Sequence, residues 1–202
     1  GVNAGNSIAS GGNYNTVVGD EAGTGITTGD SNVAIGYIAL DANTIGSGNV
    51  AVGQDALGAN TTASNNTAVG YAVLASNTTG TGNSALGQGA AGANTTGGGL
   101  TAIGNGAGGA NTTGNSNTAV GYQALDANTT ASSNTAVGST ALGANTTGAL
   151  NTAVGTGSLD ANTTGGNNSA FGLGALGSNT TGDSNNAHGL NALTDNVSGS
   201  GN

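Results

Sequence analysis

Apolar and polar residues follow a pattern that returns every 17 positions along this chain. The run Asn-Thr-Val-Val-Gly at Asn15 recurs in variant form at 32, 49, 66, 83, 100, 117, 134, 151, 168, 185 and 202, without insertion or deletion. Counted from that asparagine, eleven repeats fill residues 15 to 201 with the consensus Asn-Thr-Ala-Val-Gly-x-x-Ala-Leu-x-Ala-Asn-Thr-Thr-Gly-x-x. Positions 1 to 5 predict a strand with 2 and 4 on one face and 3 and 5 on the other. Positions 12 to 14 predict a second short strand or a tight turn, and the Ala-Leu pair at positions 8 and 9 bridges the two.

Seventeen residues are too few for a pair of helices, and the Gly, Thr, Asn and Val content opposes helix. The expected fold is therefore all-β, a parallel β-solenoid (β-roll) of 17-residue coils. With one repeat per coil, equivalent residues stack about 4.8 Å apart and the rod is roughly 53 Å long. Residues 1 to 14 read as a degenerate first coil, one residue longer, with Gly1, Ala4 and Gly11 at positions 5, 8 and 15. Asn202 opens a further repeat, which predicts that the native chain continues.

Two positions set the geometry of the coil. Position 5 is glycine in every repeat, from Gly19 to Gly189, which predicts a corner with positive φ or a close backbone approach. Asparagine holds position 1 except at Leu100 and position 12 except at Ile26, which predicts two asparagine ladders. The position-12 row from Asn43 through Asn60, Asn77, Asn94, Asn111, Asn128, Asn145 and Asn162 to Asn179 is expected to be protected, its amides bonded from coil to coil.

The two faces of the predicted strand are both apolar but differ in size. Position 3 is alanine in all repeats but the first, whereas position 4 carries the larger Val69, Val120, Val137, Val154 and Phe171, and finally His188. A thin coil fills its interior with the small face and leaves the large one to neighbouring chains around a common axis. The alternative is a monomer whose interior takes positions 4 and 9 together. Both remain open on the residues alone, although one valine and one leucine per coil fall short of the entropy of ordering seventeen residues.

Composition narrows the function classes. The chain has 42 glycines, no Lys, Arg, Pro, Cys, Met or Trp, and a net charge of −9. Without one base, nucleic-acid binding loses its counterion-release term and anionic membranes repel the chain. Zero cysteines exclude disulfides and thiolate metal sites. No apolar run approaches the ~20 residues of a membrane span, and residues 1 to 5 carry no signal-peptide pattern, so this segment does not insert in a membrane directly.

The run Asn-Thr-Ala-Val-Gly, as at Asn66 to Gly70 and Asn117 to Gly121, resembles the Asn-Ser-Val-Ala-Ile-Gly type run of the YadA-like head repeats of trimeric autotransporter adhesins. The phrase from Asn117 to Gly138, with Tyr122-Gln123-Ala124-Leu125 and Asn128-Thr129-Thr130, is also similar to repeats in related trimeric phage tail-fibre proteins. The resemblance covers nearly the whole chain and implies left-handed rolls in a three-chain bundle, on an exported or virion-borne fibre. The family's repeat is usually shorter and lacks the extra Ala-Asn-Thr-Thr segment, so adhesin head and tail fibre both stay open.

Few residues offer chemistry. Three G-x-G-x-x-G matches, starting at Gly87, Gly104 and Gly172, share one phase of the period and precede no helix, so they read as corners rather than phosphate loops. The nine acids scatter over five phases, against the single phase of a calcium-stacked roll, and only Asp20 and Glu21 are adjacent. His188 is the single histidine and would sit as a polar layer in the position-4 row. No catalytic residue, metal site or cofactor is expected, and the chain reads as a non-enzyme.

Tyr37, Tyr71 and Tyr122 share position 6 and are candidate surface contacts for a ligand such as a glycan. Asn-x-Thr sequons recur at position 12 from Asn60 to Asn179, with Asn65, Asn167 and Asn196 adding three by pattern; their expected role is turn and ladder bonding rather than glycosylation. The expected function is an extracellular structural fibre segment, a homotrimer on a cell surface or virion, that binds a cell-surface or matrix ligand by avidity. The alternative is an ice-binding solenoid built on the threonines at positions 13 and 14, although adjacent threonines on a regular strand point to opposite faces.

Overall fold

The computed structural model describes residues 1 to 8 and 11 to 202; Ala9 and Ser10, which fall in the degenerate first coil, lie outside the described residues. The chain is a parallel β-solenoid. Eleven strands of three residues each, from β1 (Thr16–Val18) to β11 (Asn186–His188), form one sheet in strict sequence order. Every pairing is parallel and in register at a spacing of 17, as in Thr118↔Thr135, Ala119↔Ala136 and Val120↔Val137. There is no helix among the described residues.

Only positions 2 to 4 of each repeat form strand, less than the five residues expected, because glycine at position 5 turns the chain. Gly121 has φ +134°, and a Cβ built on it would lie 2.6 Å from the carbonyl carbon of Gly138 in the next coil. Positive φ and close approach thus act together there, and no side chain satisfies both. Positions 12 to 14 form a bend and not a second strand. Even so, the backbone is laddered there, since Thr95 N donates to Thr112 O at 2.9 Å and Thr112 N to Thr129 O at 2.8 Å.

Three further left-handed positions, 7, 9 and 17, appear where the sequence shows no invariant glycine. Positions 7 and 9 lie in the left-handed region even when occupied by larger residues, as at Gln123 (φ 50°) and Leu125 (φ 55°). Such a conformation costs a non-glycine residue on the order of 1 to 3 kcal/mol. At position 9 it turns the leucine side chain into the interior, where Leu40, Leu57, Leu74, Leu125, Leu142, Leu159 and Leu176 are fully buried. Burial of a leucine stabilises by about 1.5 to 3 kcal/mol, enough to offset the strain.

The interior combines this leucine row with the alanines of positions 3 and 8 and with two rows of asparagine. Ala68, Ala119 and Ala136 are buried within their own chain, as are Ala39, Ala124 and Ala141. The small face of the strand is the inner one. The arrangement that puts positions 4 and 9 together inside does not describe this chain, because position 3 faces inward and position 4 therefore stands on the outer face; where Val73 joins Leu74 inside, the next coil carries only Ala90 and Ala91 at the same positions.

Ahead of β1, the first residues cap the stack without a strand among those described. Gly5 N donates to Ala22 O at 2.9 Å, Glu21 N donates to Val2 O at 3.0 Å, and Ile8 packs against the core.

Candidate interaction surface

The asparagine rows are what make a polar interior tolerable. Asn128 Nδ2 donates to Asn111 Oδ1 of the preceding coil at 2.8 Å and to Ala131 O of its own coil at 3.0 Å. Its Oδ1 accepts from Asn145 Nδ2 at 3.1 Å. The same bonding runs along the row from Asn43 to Asn179, all fully buried.

In the position-1 row the side-chain oxygen instead accepts a backbone N–H: Asn134 N donates to Asn117 Oδ1 at 2.9 Å, while Asn117 Nδ2 donates to Ala131 O at 2.8 Å. One position-15 carbonyl therefore receives an amide from each row. Among the described residues no buried side-chain nitrogen or oxygen lacks a partner. A buried amide left unsatisfied would cost about 1 to 3 kcal/mol, so each complete ladder removes a penalty rather than merely adding a bond.

Two smaller ladders run beside these. The position-13 hydroxyls donate to the position-13 carbonyl of the next coil, as Thr112 Oγ1 does to Thr129 O at 2.9 Å. Small polar side chains at position 16 accept the N–H of the coil before, as Ser64 Oγ does from Ser47 N at 3.0 Å. Recurrent Ser, Asp and Asn at position 16 was the sequence signal for the second. The position-15 carbonyl was marked only by the small residue that carries it, glycine in nine repeats and alanine in two. Of the two threonine rows, only position 14 is exposed, for example Thr62, Thr113 and Thr130, whereas position 13 is half-buried.

With the interior filled, the larger strand face lies outside. Val69, Val120, Val137 and Val154 are half-buried on the outer face, Leu86 is 51% exposed, and Phe171 is 36% exposed. Position 2 flanks this row with Thr, Val or Ser up to β11, and no carboxylate stands at either position. The row ends in a ring pair: Phe171 stacks on His188 with centroids 4.7 Å apart and planes at 25°. Tyr37, Tyr71 and Tyr122, beyond the glycine corner, are each about half exposed, and intervening coils separate them.

Compared with protein-family models, with curated proteins and with solved structures, the chain has no match.

The acids cluster only weakly. Burial raises the pKa of Asp41, Asp55 and Asp126 above the ordinary carboxylate value, and at Asp41 the nearby charges of Asp55 and Glu21 add to the effect. Among the described residues no group of three or more His, Cys, Asp or Glu is arranged to hold a metal ion, and no pocket is present. Among the described residues no helix is long and apolar enough to cross a membrane. What the described surface offers a partner is a regular, uncharged, laterally repeating face.

Proposed function

We propose that this chain is a structural segment of an extracellular fibre, in which three copies pack their position-4 rows around a common axis and the outer faces bind a cell-surface or matrix ligand by avidity. One observation supports it above the others: an apolar row from Val18 to Phe171 runs the length of the sheet and lies outside an interior that alanine, leucine and asparagine already fill. No rearrangement within one coil can hide that row. The resemblance of Asn66 to Gly70 and Asn117 to Gly121 to YadA-like head repeats supports the same reading and adds the location, a bacterial surface or a virion. In a fibre of this kind, affinity comes from many weak, evenly spaced contacts rather than from one pocket, and the half-exposed Tyr37, Tyr71 and Tyr122 are the side chains best suited to stack on a sugar.

The test is sedimentation of the purified chain at micromolar concentration. The wild type should run as a trimer, and the double variant Val120→Asp, Val137→Asp should run as a folded monomer, because buried unpaired carboxylates cost several kcal/mol each. A monomeric wild type would remove the trimer. Thermal hysteresis in the same sample would favour ice binding through the exposed position-14 threonines instead.

A further inference from the structure

Eleven Asn-x-Thr/Ser sequons fall at two phases of the repeat, and the fold treats the two phases oppositely. Nine lie in the position-12 row, from Asn60 to Asn179 and at Asn196; the other two, Asn65 and Asn167, lie at position 17. In the transfer of a sugar to asparagine, Nδ2 forms a bond to the anomeric carbon, the bond from that carbon to the phosphate of an activated donor breaks, and one amide proton leaves. The nitrogen must therefore be reachable and free to give up a proton.

From Asn60 to Asn179 it is neither, whereas Asn196 in the last coil is bonded but only half-buried. Asn77 Nδ2 donates to Asn60 Oδ1 and to Gly80 O, both at 3.0 Å, and the residue has no exposed surface. Asn196 makes the same pair of bonds, to Asn179 Oδ1 and Gly199 O. At position 17 the reverse holds. Asn65 and Asn167 are exposed on left-handed corners, with φ 61° and 58°. Their backbone nitrogens are held by Ser47 O and Ala149 O, each at 3.0 Å, whereas neither side-chain nitrogen makes a hydrogen bond among the described residues.

We propose that Asn65 and Asn167 are the two positions at which the folded rod accepts an Asn-linked sugar. The ladder sequons accept one only before folding, and a sugar there blocks the coil. The hydroxyl residues of the two sequons, Thr67 and Ser169, lie at position 2 beside the row proposed to pack, so the folded chain is treated both as wild type and as the Val120→Asp, Val137→Asp variant.

The experiment treats the folded chain with UDP-glucose and a soluble asparagine glucosyltransferase, then maps occupancy by peptide mass spectrometry. A synthetic single repeat, residues 117 to 133, is the unfolded reference, since one coil has nothing to stack on. The expected result is glucose on Asn65 and Asn167 of the folded chain, none on the ladder, and glucose on Asn128 of the peptide. The variant Asn65→Gln, Asn167→Gln should fold and take up no sugar. Glucose on ladder asparagines of the folded chain would overturn the proposal, as would unmodified Asn65 and Asn167 alongside a modified peptide. In a second arm the chain is expressed through a eukaryotic secretory pathway; ladder-glycosylated product should lack the β-type circular dichroism spectrum, and a normally folded ladder-glycosylated product would equally refute it.

Discussion

Asn32 and Asn43 stand eleven positions apart, yet both donate their side-chain amides to the same carbonyl oxygen, that of Gly46, each at 2.9 Å. The pair ties both ends of the coil to one acceptor. In the next coil Asn49 and Asn60 do the same at Ala63 O, at 2.8 and 3.1 Å. The ladder is thus a closure within each coil that carries both asparagines, as well as a bond between coils.

Asn111→Ala should therefore be among the most damaging ladder substitutions. Leu100 occupies position 1 of that coil, so Gly114 O receives only the Asn111 amide, at 3.1 Å, and loses its side-chain donor altogether. Asn94 Oδ1 is orphaned as well. Asn60→Ala leaves Ala63 O with Asn49. The expected loss is about 2 to 4 kcal/mol for Asn111→Ala, and less for Asn60→Ala, by urea denaturation.

Glycine to alanine at position 5 should depend on what the next coil presents. Gly138→Ala would place a methyl 2.6 Å from the carbonyl oxygen of Gly155, against rigid backbone, and is expected to unfold the neighbouring coils. Gly189→Ala meets nothing within 4 Å and keeps only the strain of its φ of +126°. Thermal melts should show a marked fall for the first and a modest one for the second.

Leu125→Ala should cost about 2 to 5 kcal/mol by the same denaturant measurement, because it empties the one large interior position of its coil. Alanine is found at this phase only at Ala91, beneath the larger Val73 and Leu74 of the coil before. A variant Ala91→Leu is expected to be the less harmful of the two.

Acid should stabilise this chain. The raised pKa of Asp41, Asp55 and Asp126 means the folded state binds protons more tightly than the unfolded state does. Their burial therefore opposes folding above the folded pKa, and that opposition fades as pH falls through it toward the ordinary carboxylate value. With no Lys or Arg in the chain, the same titration also relieves its net negative charge. The melting temperature should rise between pH 7 and about pH 4, and Asp41→Asn with Asp55→Asn should flatten the rise.

The 17-residue period by itself determined the architecture. A gapless repeat of that length, rich in Gly, Thr, Asn and Val, has no stable alternative to stacked coils, and strand alternation placed positions 2 and 4 opposite position 3. The invariant glycine marked its own corner, because only glycine combines positive φ with contact against the next backbone. The tertiary structure alone decided how the coil closes. The left-handed backbone at Gln123 and Leu125, the bend in place of a second strand, and the shared acceptors at Gly46 and Ala63 depend on main-chain direction. Position 15 is always glycine or alanine, but a small side chain shows only that space is short there and not that its carbonyl is the acceptor both asparagines reach. Likewise, the choice of alanine over valine for the interior was settled by the narrow section that those corners impose, which in most coils holds one leucine and keeps the position-4 side chain outside.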